Sequence, residues 1–321
     1  MNKEYVIGID LGGTKIYAAV VDPNGNIIAT ARKKTKPDKG FEKTVERIAK
    51  TARKAVENAG LEMTDIKAAG IGSPGPLDLK AGKIIETPNL KWKDAPLRDE
   101  LQKYLEVPVA MDNDGNVGIL GEWAYGAGKG ANDLVGLFIG TGVGGGVIVN
   151  GQLLHGYNEN AGELGHMILD PNGPKCGCGN HGCLEAFASR LAIEREIQII
   201  HLNGTPTTLI SYLQDGERLR SKLLAKAFED GDKPVKLALE KSASYIGYAV
   251  ASLLNIFNPQ VVVLGGGVVE ALGESYVRIV RKVAENNVFA ISKRNVKIVA
   301  ATLEDDSAVL GAARLGWQLV E

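Results

Sequence analysis

A strand, a glycine turn and a second strand occur together twice in this chain, and that repetition restricts what it can fold into. The first copy runs Val6-Ile-Gly-Ile-Asp10-Leu-Gly-Gly-Thr-Lys15-Ile-Tyr-Ala-Ala-Val-Val21 and reaches Asn24-Gly25 before Ile27-Ile28. The second runs Leu137-Phe-Ile-Gly140-Thr-Gly-Val-Gly-Gly-Gly146-Val-Ile-Val149 and reaches Asn150-Gly151 before Leu153-Leu154. Asn-Gly between apolar runs is a strong hairpin signal, because both residues tolerate φ > 0. Each copy therefore predicts three consecutive strands with a glycine-rich first turn. Alternating helices and buried strands follow: helices over 41–59 and 117–125, strands over 66–71, 107–111, 261–264 and 296–299. The chain has 321 residues, enough for two cores. The pattern predicts two α/β domains facing each other across a ligand cleft.

The glycines point to phosphate. Gly140-Thr-Gly142-Val-Gly-Gly145 matches the dinucleotide pattern G-x-G-x-x-G, but a strand follows where that motif needs a helix N-terminus. Gly128-Lys129 lacks the upstream glycine and following hydroxyl of a P-loop. What remains is one Gly-rich hairpin per domain, whose backbone N–H groups can surround phosphate oxygens. A third cluster, Gly265-Gly-Gly267, follows the apolar strand and precedes a helix expected around 272–284. There the adenine and ribose can lie against backbone, although close helix–strand packing would also require glycine.

All three cysteines fall in Cys176-Gly-Cys178-Gly-Asn-His-Gly-Cys183-Leu-Glu185, ten residues after Glu163-Leu-Gly-His166. A disulfide would leave an odd thiol, and the C-x-C and C-x4-C spacings are not those of a C-x-x-C redox pair. Cys176, Cys178, Cys183 and His166 can close a tetrahedral zinc shell, with His181 a second candidate for the fourth ligand and a reduced, metal-free loop the alternative. A closed shell has no position for water, so such a metal organises the loop that holds Glu163 and Glu185.

Met111-Asp112-Asn113-Asp114 ends a predicted strand and opens a helix. Ligands bind at such strand ends, and a helix N-terminus keeps a carboxylate ionised and able to accept a hydroxyl proton. A helix cap would account for Asp112 or Asn113 alone. With 37 basic and 38 acidic residues and a net charge of −1, nothing favours nucleic acid or an anionic membrane, so a small-molecule partner is expected. No export signal is visible at the N-terminus, which predicts a cytoplasmic protein. The uncharged run 242–257 is shorter than the roughly 20 residues a membrane span needs, and its apolar spacing is that of a buried helix.

Together, Asp10-Leu-Gly-Gly-Thr-Lys15, Asn113-Asp114, the Gly140 to Gly146 turn, Glu163-Leu-Gly-His166, the cysteine loop and Leu264-Gly-Gly-Gly267 resemble the ROK family of sugar kinases and repressors, within the actin-like ATPase superfamily. Thr87-Pro-Asn-Leu90-Lys-Trp92 and Asp112-Asn-Asp-Gly-Asn116 are most similar to its ATP-dependent glucokinases, with Gly115 standing where relatives commonly carry alanine. The resemblance implies two actin-like (ribonuclease H-like) domains: a smaller one over 1–120 plus a C-terminal helix 305–321, and a larger one over 121–304 carrying the zinc loop. It implies Asp114 as general base toward the sugar 6-hydroxyl, with Gly75, Asn113, Glu163, His166 and Glu185 on the sugar. On the nucleotide side it implies Asp10 near magnesium through water, and Gly12, Gly13, Thr14, Lys15, Thr141, Gly142, Gly265, Gly266 and Gly267 around ATP. Lys15 also reads as a solvated surface lysine.

The expected cofactors are thus ATP, Mg2+ and structural Zn2+; the expected partner is glucose or a related hexose, and the expected state a dimer or tetramer. Fructose, mannose, N-acetylglucosamine or N-acetylmannosamine are alternative substrates, and polyphosphate an alternative donor. Family repressors carry an N-terminal helix-turn-helix segment, for which a first strand at Tyr5 leaves no room, and a sugar-binding module without catalysis would lack Asp114 or the Asp10 loop.

Overall fold

The computed structural model describes residues 4–87, 89–214 and 219–321. Residues 1–3 of the N-terminal reading and Pro88 of the Thr87 to Trp92 motif lie outside the described residues. The chain forms two compact units: Met1–Gly130 with Leu153–Gly162 and Asp305–Glu321, and Ala131–Gln152 with Glu163–Glu304.

In the first unit, β1 (Tyr5–Leu11), β2 (Lys15–Val21) and β3 (Ile27–Lys34) form the expected antiparallel meander. β4 (Ile66–Ser73) joins β1 in parallel. A small antiparallel sheet follows, made of β5 (Leu77–Asp78), β6 (Lys83–Thr87) and β7 (Trp92–Ala95), and β8 (Val109–Asn113) then returns to lie parallel to β4. Among the described residues the main sheet has the order β3-β2-β1-β4-β8. Ile7 and Ile9 share a core with Val45, Ile48, Ala52 and Val56 of helix Phe41–Asn58 and with Leu97 and Leu101 of helix Leu97–Leu105. Strand residues alternate between faces, so Gly8 meets the opposite side, paired in register with Gly70. Helix Ser307–Gln318 crosses at this flat spot, where a Cβ on Gly70 would lie 1.8 Å from the Ala312 carbonyl oxygen.

The second unit repeats the scheme. β9 (Leu134–Ile139), β10 (Val143–Val149) and β11 (Gln152–Leu153) form the meander, and β12 (Val261–Gly265) and β13 (Lys297–Ala300) add in parallel, in the order β11-β10-β9-β12-β13. Helix Lys233–Phe257 buries Leu239, Ala243, Ile246, Val250 and Leu253, the spacing noted in the sequence. Among the described residues no helix is long and apolar enough to cross a membrane.

Two helices differ from expectation. The single helix expected around 272–284 is two, Gly267–Leu272 and Glu274–Asn287, because Gly273 between them takes φ 56°, which stops a right-handed helix. The helix expected over 117–125 starts earlier, as Asp114–Tyr125, since Asn113 caps it.

Candidate functional site

Within the first unit, the ends of three parallel strands bring the chemistry together. Asp10 on β1 pairs in register with Gly72 on β4, and Gly72 with Asp112 on β8. Asn113 is the helix cap: its side-chain oxygen accepts the Gly115 N–H at 2.8 Å, which leaves its amide NH2 uncommitted by the cap. A Cβ on Gly75 would come within 3.3 Å of that NH2. Asp114 is exposed, in the first helical turn, and its Oδ1 also accepts the Gly115 N–H, at 2.9 Å. Burial, then the charge of Asp114, pushes the Asp10 carboxyl up to about 6, so these two carboxylates sense one another.

Gly12, Gly13 and Thr14 form the turn into β2, closed by a Gly12 N–H to Lys15 carbonyl bond of 2.9 Å and braced by buried Thr35, whose hydroxyl donates to the Gly12 carbonyl at 2.7 Å. Lys15 lies 3.8 Å from the Asp305 carboxylate, with much of its side chain in solvent. The Asp10 carboxylate beside this turn is a ligand type that suits magnesium, which binds through one or two carboxylates, waters and substrate phosphates.

Within the second unit, Gly140, Thr141 and Gly142 turn β9 into β10. Arg190 holds this turn twice, by its backbone N–H to the Gly140 carbonyl and by its guanidinium to the Thr141 hydroxyl, both 2.9 Å. Glu185 approaches so closely that a Cβ on Gly142 would lie 2.2 Å from its Oε2, which accepts the Val143 N–H at 3.0 Å. Its other oxygen accepts from the Cys176 thiol at 3.5 Å. Glu163 is exposed, just before the turn Leu164–His166.

The ligand atoms of His166, Cys176, Cys178 and Cys183 all lie within 4.8 Å of one another. Cys178 and Cys183 sulfurs are 3.7 Å apart, as are the Cys176 sulfur and His166 Nδ1. A tetrahedral zinc with Zn–S bonds of about 2.3 Å has sulfurs about 3.8 Å apart, and a disulfide would need about 2.05 Å. Burial pushes the Cys176 thiol up to about 12 and raises Cys183 as well, while a backbone hydrogen bond from Asn180 lowers Cys178; for Cys176 and Cys183 the thiolate calls for a cation. These four residues fit zinc; exposed His181 is not among them. With Nδ1 turned to the thiols, His166 Nε2 is left for another partner.

At the end of β12, Gly266 takes φ 82° and a Cβ there would lie 2.7 Å from the Ile139 backbone, so packing against β9 alone demands glycine. Sequence reasoning missed Arg190 and His155, the latter 2.6 Å from Asp112, because neither lies in a motif and each partner is more than 40 residues away in the chain.

A model of the ROK family matches residues 6–318. A glucokinase of Thermotoga maritima is 36% identical over 98% of this chain and 98% of its own. A xylose repressor of Caldicellulosiruptor bescii is 33% identical over 95% of this chain and 76% of its own. The crystal structure of a ROK family glucokinase from Streptomyces griseus in complex with glucose and AMPPNP superposes with a TM-score of 0.83 at 33% identity, covering 98% of this chain and 99% of that one.

Proposed function

The chain belongs to the ROK family, with its actin-like α/β fold, and from that premise we propose that it transfers the γ-phosphoryl group of ATP to the 6-hydroxyl of glucose, giving glucose 6-phosphate and ADP. The observation that carries this reading is Asp114: an exposed carboxylate at a helix N-terminus, at the end of a parallel strand, in the same unit as Asp10 and its glycine turn.

In this reading Asp114 accepts the proton of the sugar O6 as that oxygen attacks the γ-phosphorus and the bond to the β–γ bridging oxygen breaks. Asn113 donates its amide N–H to a neighbouring sugar hydroxyl beside Gly75. Glu163, His166 Nε2 and Glu185 bind hydroxyls on the anomeric side. Gly12, Gly13, Thr14, Lys15, Thr141 and Gly142 serve the phosphates, and Gly265, Gly266 and Gly267 the nucleoside. Magnesium held beside Asp10 supplies charge neutralisation at the transferring group. Zinc held by His166, Cys176, Cys178 and Cys183 supplies a fixed orientation for the His166 ring. Xylose repressors share the family, and Asp114 together with the Asp10 turn supports the kinase reading over a purely regulatory one.

Asp114→Asn tests it. Turnover should fall by about two to four orders of magnitude, the scale of general-base removal, while calorimetric glucose binding persists. Turnover near wild type would contradict the assignment.

A further inference from the structure

Asp112 is 2% exposed, yet it carries a carboxylate two residues before Asp114. A buried carboxylate needs donors on both oxygens. Oδ1 accepts the Asn113 backbone N–H at 2.7 Å and the Asn116 side-chain amide at 2.8 Å. Oδ2 lies 2.6 Å from Nε2 of His155. An ionised carboxylate only accepts, so Nε2 carries the proton in this contact. The Asp112 hydrogen bond raises the His155 pKa above its ordinary value, against the opposing effect of burial, and Asp112 and Glu159 add their charges in the same direction.

His155 reaches Asp112 from a short loop in the same unit. The loop is closed by the Ala161 N–H to the His155 carbonyl at 2.9 Å and is fastened a second time by Glu159, whose Oε2 accepts the N–H groups of Leu79 and Lys80 at 2.7 and 3.1 Å. Of these contacts only that of His155 with Asp112 touches the turn that presents Asp114. Without it, one oxygen of a buried carboxylate would lose its donor, and Asp112 would have reason to turn away from the Asn113 N–H.

We propose that His155 is a positioning residue for the phosphoryl transfer: by holding Asp112 it fixes the strand-to-helix turn on which Asn113 and Asp114 are presented. The inference rests on the kinase reading above. It assigns His155 no contact with sugar or nucleotide.

The test compares His155→Ala with Glu159→Ala, which loosens the same loop without touching Asp112, in steady-state ADP release, with the melting temperature of each. His155→Ala is expected to lower kcat about 10- to 100-fold, as loss of an orienting partner typically does, with the glucose KM within about threefold of wild type. Glu159→Ala should keep kcat within about threefold. A His155→Ala kcat equal to wild type, or the same kcat loss in both variants, overturns the proposal. If His155→Ala does not fold, Asp112→Asn takes its place with the same criteria. The wild-type rate in the same assay separates the two readings: an active wild type beside an equally active His155→Ala removes only the positioning role, and an inactive wild type removes both.

Discussion

Asp10 and Asp114 are two carboxylates with opposite tasks in this account, and their surroundings differ accordingly. Asp114 is exposed at a helix N-terminus, whereas Asp10 is half-buried and its carboxyl is raised to about 6, by burial first and then by the charge of Asp114. If Asp10 serves the cation and the phosphates, Asp10→Asn should lower kcat by about 100-fold or more while glucose titrated without nucleotide binds as it does to wild type. A large loss of sugar affinity in that titration would move Asp10 away from the phosphates. The residues of both loops were legible because each lies in a short motif whose chemistry is local. His155 and Arg190 were not: what gives each its role is a partner 43 or 49 positions away, fixed only when the strands assemble.

Single elements carry consequences of their own. Asp232 caps helix Lys233–Phe257 through the Val235 N–H and also accepts both hydroxyls of Thr207 and Thr208 and the Thr208 N–H. Burial works to raise its pKa, but the backbone and hydroxyl donors together hold it below the ordinary aspartate value. A carboxyl lowered on folding contributes stability that is fully present above its unfolded pKa of about 3.9 and lost as pH falls through the folded value. The stability gap between wild type and Asp232→Asn in urea should therefore be constant above about pH 5 and shrink below about pH 4; an unchanged gap at pH 3 would refute this.

The cysteine loop makes a second prediction. Metal analysis should find one zinc per chain, and Cys178→Ser, if still folded by circular dichroism, should weaken glucose binding about 10- to 100-fold and nucleotide binding less. A folded, zinc-free protein with wild-type glucose affinity would make the loop a staple and nothing more. The meanders and parallel strands were readable from alternating apolar runs and Asn-Gly turns, but β5, β6 and β7 are two to five residues long, too short for periodicity to register.

For the molecule as a whole, the repeated strand–turn pattern was the readable feature, and both main sheets carry it in the same order. Less readable was Leu153–Gly162, which lies in the chain between pieces of the second unit yet belongs to the first, where His155 and Glu159 attach it. Nothing in its composition announces those contacts. Sugar choice also escapes a motif, since in the proposed site the discrimination of one hydroxyl's orientation would turn on small displacements of Glu163, His166 and Glu185. The most direct measurement follows ADP and sugar phosphate together when the wild-type protein meets ATP, magnesium and, in turn, glucose, fructose, mannose, N-acetylglucosamine and N-acetylmannosamine. Equal amounts of ADP and glucose 6-phosphate are expected, with the highest kcat/KM on glucose; ADP release that no sugar raises above background ATP hydrolysis would contradict the kinase reading.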